Sequence, residues 1–78
     1  MFGVYFLILK DKVVYVGQTE CLLDRIAKHR AENKYPPKTK IFDAFRYISS
    51  KTFYWLDDYY FRKYFEQRCI YRFQPEYN

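Results

Sequence analysis

Two β-branched and aromatic runs, Val4 to Leu9 and Val13 to Val16, stand three charged residues apart. No other feature of the chain restricts its fold so sharply. Lys10-Asp11-Lys12 is short and charged, a turn that faces water, so the runs pair as an antiparallel β-hairpin. An isolated hairpin is marginal in water and must lay a face on something else. The remainder of the 78 residues has to supply that partner, within a single domain spanning 1–78. A domain this short buries only about 60% of its unfolded surface. Aromatic side chains make up 24% of the sequence and offset this, because each ring removes a large apolar area from water. The same richness excludes a disordered chain, and Gly 2 with Pro 3 excludes a linker or collagen-like one.

Gly17 closes the second run. Thr19 is then the expected N-cap of a helix from Glu20 to Glu32, with Glu20 in its first turn and Leu22, Leu23, Ile26 and Ala27 on its apolar face. Asn33 to Lys40, with Pro36-Pro37, reads as a loop. A short helix is expected over Ile41 to Ile48, burying Ile41, Phe42, Phe45 and Ile48, and Ser49-Ser50 breaks it. Thr52 to Leu56 reads as a third strand. Asp57 or Asp58 caps a last helix reaching Tyr71, whose apolar stripe is Phe61, Phe65 and Cys69; Pro75 ends it. The expected fold is α+β: a small antiparallel three-stranded sheet flanked by helices, in the order β-β-α-α-β-α.

Fourteen Lys and Arg against nine Asp and Glu leave a net charge of +5, which favours an anionic partner. Cys21 and Cys69 form no CxxC, and with one His no tetrahedral Cys/His zinc site can be completed. Both thiols are expected reduced and packed in the core. Met1 to Leu9 is too short to span a bilayer, with no basic residue ahead of it and no cleavage site. The expectation is an intracellular, cytoplasmic protein with no membrane partner.

Three groups of residues invite chemistry. Tyr5, in Gly3-Val4-Tyr5, and Tyr15, in Tyr15-Val16-Gly17, lie in the two arms of the hairpin, where tyrosines are ordinarily packing residues. A tight hairpin centred on Asp11 would not set them opposite each other, so the path of the second strand matters. Arg25 and His29 share a helix face at the edge of the Leu22/Ile26 stripe. There an Arg can grip a phosphate with its fork and a His can exchange a proton with a scissile oxygen. The competing reading is a solvated flank with Arg25 paired to Glu32 or Asp24. Glu66, beside the last apolar stripe, must meet either Arg62 one turn back or a divalent metal, since a lone carboxylate is expensive to desolvate.

In order and spacing these elements resemble the GIY-YIG nuclease domain across essentially the whole chain. Gly3-Val4-Tyr5 matches the GIY element and Tyr15-Val16-Gly17 the YIG element. Arg25 matches the family's helix arginine, His29 the histidine of some members, Glu66 the metal-binding glutamate and Asn78 the closing asparagine. The resemblance implies an endonuclease that hydrolyses phosphodiester bonds in DNA with one divalent cation, Mg²⁺ or alternatively Mn²⁺. Glu66 would be the metal's only protein ligand and Arg25 the phosphate clamp. Tyr5 would be the favoured general base with Tyr15 close by, His29 would support the base or position the nucleophile, and Gly17 and Asn78 would be structural near the site. A free tyrosine is only about one part in a thousand ionised at pH 7, so cations must lower its pKa or the metal must acidify the water.

Many members carry a lysine directly after the second triplet; here Gln18 stands there, able to hydrogen-bond a phosphate but bringing no charge. With no appended DNA-binding module expected, affinity would come from Lys28, Arg30, Lys34, Lys38 and Lys40, with Tyr35 stacking on an unpaired base. Specificity would come from self-association as a homodimer or from a partner protein. RNA stays open as the second polymer. A non-cleaving nucleic-acid-binding or adaptor module on the same scaffold is the alternative, and a structural domain that uses its charge for a protein partner the third.

Overall fold

The hairpin closes on two residues rather than three. In a computed structural model, which describes residues 1–31 and 42–78, β1 (Gly3–Leu9) and β2 (Lys12–Thr19) pair with Leu9 opposite Lys12. Lys10 and Asp11 make the turn with φ of 51° and 66°. Positive φ at both central residues is the signature of the type I′ turn, whose twist matches that of the strands it joins.

The ladder then shifts. Ile8 faces Val13 but Leu7 faces Tyr15, so Val14 is an extra residue on β2 and forms a β-bulge. Beyond it, Tyr5 lies opposite Gly17 and Val4 opposite Gln18.

The third strand is not where the sequence predicts it. β3 (Ala44–Ser49) occupies most of the segment expected to be a short helix, and pairs antiparallel with β1 to give the order β2-β1-β3. Thr52 to Leu56 is not a strand; Tyr54–Asp57 is a single 3-10 turn that buries Leu56. A short apolar run is ambiguous between helix and strand by periodicity alone. The central strand decides, because its second edge needs a partner and the run offers one. Phe45 lies opposite Leu7, and Ile48 lies opposite Val4. The class is α+β, with an antiparallel three-stranded sheet and two helices, α1 (Leu22–Ala31) and α2 (Tyr59–Phe73).

Each face of the sheet builds its own core. On one, Val4, Val16, Leu56 and Cys69 pack with Phe6, Ile48 and Phe65, under α2 and the 3-10 turn. On the other, Tyr5, Leu7, Val14 and Leu22 pack with Tyr15, Ile26 and Phe45, under α1. Thr19 closes a turn through its hydroxyl, which accepts from the Cys21 N–H at 3.1 Å, and α1 starts two residues later than expected. Its inner face is Leu22, Ile26 and His29, whereas Leu23 is 74% exposed and Ala27 is exposed. Asp58 caps α2, accepting from the amides of Tyr60 and Phe61 at 2.8 and 3.2 Å. Of the expected stripe, Cys69 is buried and Phe65 is half-buried against the core, but Phe61 is exposed, and the other fully sheltered residues of α2 are Arg62 and Glu66. Both cysteines are free thiols, but Cys21 lies on the surface and only Cys69 is buried.

The chain ends along the outer edge of β2. The Tyr77 N–H donates to Val14 O at 2.9 Å, and the Asn78 side chain both accepts from Val16 N at 2.7 Å and donates to Val16 O at 2.8 Å. An edge strand that would otherwise present unpaired groups is thereby covered. Among the described residues no helix is long and apolar enough to cross a membrane.

Candidate active site

The bulge at Val14 determines which face Tyr15 occupies. In an unbroken ladder Leu7 would meet Val14, and Tyr15 would point to the α2 side. With the extra residue, Tyr15 falls on the same face as Tyr5, over α1. The rings of Tyr5, Tyr15 and His29 form a cluster with centroids 5.4 to 6.1 Å apart. The Tyr5 hydroxyl and His29 Nε2 share a buried 2.8 Å hydrogen bond, and Phe45 stacks on Tyr5 from β3. Tyr5 and His29 are both fully buried, while Tyr15 is half-buried. His29 is therefore part of the core contact of α1 and not a residue at the margin of its stripe.

Gly17 is fitted against the same phenol. A Cβ there would lie 2.5 Å from both Cζ and the hydroxyl oxygen of Tyr5. The ring is held by His29 and Phe45 and has no room to retreat, so any larger residue displaces the hydroxyl. Gly3 is similarly constrained, since a Cβ would meet Ile48 O at 2.5 Å across the sheet.

Arg25 is half-buried and lines an open cleft of ≈ 340 Å³ where β2 runs into α1, together with Gln18, Thr19, Tyr59 and Arg62. Glu20 and Asp24 also border it, but the Asp24 carboxylate lies 3.5 Å from Lys28 Nζ. Gln18 points to the α2 side, and its Oε1 accepts from Arg62 Nε at 2.9 Å. The position that lacks a lysine thus lies directly against a buried guanidinium. The Arg62 guanidinium has further partners: Nη1 donates to Leu56 O and Asp57 O, Nη2 lies 3.9 Å from the Glu20 carboxylate, and the Phe2 ring lies 4.9 Å from the guanidinium carbon. A buried cation needs such a set of acceptors. In the sequence Arg62 stands out only as a partner for Glu66. Its spacing of four from Glu66 and seven from Cys69 was the available signal that all three share one face.

Glu66 does not pair with Arg62. It is 8% exposed, its nearest cation is Lys63 Nζ at 3.3 Å from Oε1, and that buried oxygen has no hydrogen bond. Burial and the Glu66 charge together raise the Cys69 thiol pKa above its ordinary 9.0. A buried carboxylate oxygen that faces an ammonium without hydrogen-bond geometry keeps lone pairs that suit a hard divalent cation, which favours oxygen ligands. Among the described residues no group of three or more His, Cys, Asp or Glu side chains gathers.

The site residues therefore fall into two groups. Tyr5, Tyr15 and His29 touch one another on the α1 side, while Glu66 sits on the α2 side, one turn beyond Arg62. Gln18 and Arg25 line the cleft at the end of β2, which Arg62 of α2 also lines. Lys28 and Arg30 are exposed on α1. Lys34, Tyr35, Lys38 and Lys40 lie outside the described residues.

The family model of the GIY-YIG catalytic domain matches residues 1–78, the full length of the chain. A search of curated proteins finds no match.

Proposed function

Because the chain belongs to the GIY-YIG family, a family of nuclease-type domains, we propose that it is a metal-dependent endonuclease that hydrolyses phosphodiester bonds in DNA. The observation that carries this reading is the Tyr5–His29 hydrogen bond with the Tyr15 ring packed on both, set against Gly17 where no side chain fits.

Hydrolysis forms a bond from a water oxygen to phosphorus, breaks the bond to the leaving oxygen, and moves a proton from the water to that oxygen or to solvent. Exposure favours Tyr15 over Tyr5 as the group that meets the water, because Tyr5 and His29 are sealed behind it. The Tyr5–His29 pair then holds the Tyr15 ring and offers a hydrogen-bonded route by which a proton leaves the phenols. Arg25, at the cleft, would grip the scissile phosphate and meet the charge that grows on its oxygens, ordinarily the largest catalytic contribution. Arg62 acts one step back, holding Gln18 by its Oε1 so that the amide N–H groups of Gln18 remain for phosphate or water. Glu66 would hold a divalent cation, which when bound supplies Lewis acidity toward the phosphate and makes a bound water more acidic. Lys63 must release Glu66 for this to happen, and its half-exposed side chain is free to swing into water.

Nicking of supercoiled plasmid by the purified chain with Mg²⁺ or Mn²⁺, stopped by EDTA, is the test. Arg25→Ala should slow cutting by about a hundred- to a thousandfold, and Glu66→Gln should abolish it, both with unchanged circular dichroism. Wild-type cleavage by Glu66→Gln would sink the assignment. Salt-dependent DNA binding without turnover in any divalent metal would leave the non-cleaving module in its place.

A further inference from the structure

We propose that the outer face of α2 is a second nucleic-acid contact that takes unpaired nucleotides. It is separate from the cleft at Arg25 and from the basic residues of α1. For its class of ligand the proposal rests on the nuclease reading.

Tyr60, Tyr64 and Tyr71 are 80%, 61% and 78% exposed. At about 100° per residue they project within about 40° of one another, and at 1.5 Å per residue the stripe runs about 16 Å along the helix. A small domain that is short of core does not ordinarily leave three rings in water along one helix face. Tyrosine rather than leucine or isoleucine is the residue that tolerates water at its tip while presenting a flat apolar face.

The charges bordering the stripe indicate what covers it. Within α2 the exposed ionisable residues, tyrosines aside, are cations, Arg68 and Arg72 along one border and Lys63 along the other. The exposed carboxylate beside the stripe is the N-cap Asp58, near Tyr60 and Tyr64 at the helix start. The helix's only carboxylate, Glu66, is turned into the protein. A face meant for a second copy of a chain carrying +5 would set like charge against like charge. Rings on which bases stack, flanked by guanidinium and ammonium groups that track phosphates, are the two components of single-strand recognition. In a duplex the base faces are already stacked, so the tyrosines gain nothing there. The stripe therefore selects frayed, branched or single-stranded regions of a nucleic acid.

Fluorescence anisotropy in EDTA, where no cutting occurs, tests this with a labelled oligo-dT single strand and a duplex of equal length. The full chain is compared with Tyr60→Ala/Tyr64→Ala/Tyr71→Ala and with Lys63→Gln/Arg68→Gln/Arg72→Gln. The tyrosine variant should lose at least about tenfold in single-strand affinity, with duplex affinity within about twofold. The charge variant should flatten the salt dependence on single strands by about two in log–log slope. All six positions are exposed, and circular dichroism verifies that the variants fold.

Unchanged single-strand affinity, or equal losses on both polymers, would overturn the proposal. So would a dimer seen by sedimentation that the tyrosine substitutions dissociate, because the occupant would then be a second copy. Plasmid nicking, read in parallel, separates the two readings. A chain that binds as described but never cuts retains the stripe and loses the nuclease assignment; one that cuts with no single-strand preference does the reverse.

Discussion

At the scale of single residues, the two tyrosines are not equivalent, although the sequence presents them as a symmetric pair. Tyr5→Phe strands His29 Nε2 in a fully buried site and should cost about 1–3 kcal/mol of stability, read in a denaturant titration. Tyr15→Phe should cost less stability than Tyr5→Phe, since Tyr15 is half-buried rather than fully buried, and should reduce plasmid nicking by about a hundredfold or more. Equal, mild effects on nicking would remove both phenols from the reaction. Cys69 carries a second expectation at this scale. Its thiol pKa is raised in the folded state by burial and then by Glu66, so the unfolded chain releases the proton first. Stability should therefore fall as pH rises through about 9. Comparing urea midpoints between about pH 8 and pH 10, the extra alkaline slope should vanish in Cys69→Ala. A slope shared by both proteins would assign the loss to other groups.

At the scale of elements, the hairpin was legible because alternation, β-branching and a charged turn agree. Its turn was not, since Lys10 adopts a positive φ that a lysine does not advertise, with Asp11, a residue more tolerant of it, beside it. A non-glycine residue there costs about 1–2 kcal/mol. Lys10→Asn/Asp11→Gly should thus raise stability by about 1 kcal/mol in chemical denaturation without altering nicking; no gain would mean that the turn carries no strain. β3 reads as a helix in the sequence because Ile41, Phe42, Phe45 and Ile48 fall at helical spacing, but so short a run is ambiguous and the unpaired edge of β1 decides its state. The helical face of α2 was misread for a related reason. Hydrophobicity ranks Phe61 above Arg62, but the acceptors that let Arg62 be buried come from Gln18 and from Leu56 and Asp57, in other segments.

At the scale of the whole molecule, the closing residue completes the strand that carries Tyr15 and Gly17. Asn78 supplies both partners of the Val16 peptide on the exposed edge of β2, joining positions 62 apart in sequence. Net stability for a chain of 78 residues is on the order of 4–12 kcal/mol, so two hydrogen bonds are a sizeable share of it. Asn78→Ala should cost about 1–3 kcal/mol and speed hydrogen exchange at the Val16 amide selectively. If exchange there is unchanged while global stability falls, Asn78 acts elsewhere than on this edge.

What the chain's residues determined by themselves is what depends on neighbours in sequence: the hairpin, the two long helices near their true places, and motif residues at family spacing. What only the packed molecule decided is everything settled by a distant partner. The bulge at Val14 turns Tyr15 to the face of Tyr5, β1 recruits β3, and Arg62 and Glu66 are buried at positions where hydrophobic patterning places phenylalanines. Local periodicity records which residues prefer water. Which polar side chain is sheltered depends on acceptors and donors that tertiary folding brings to it.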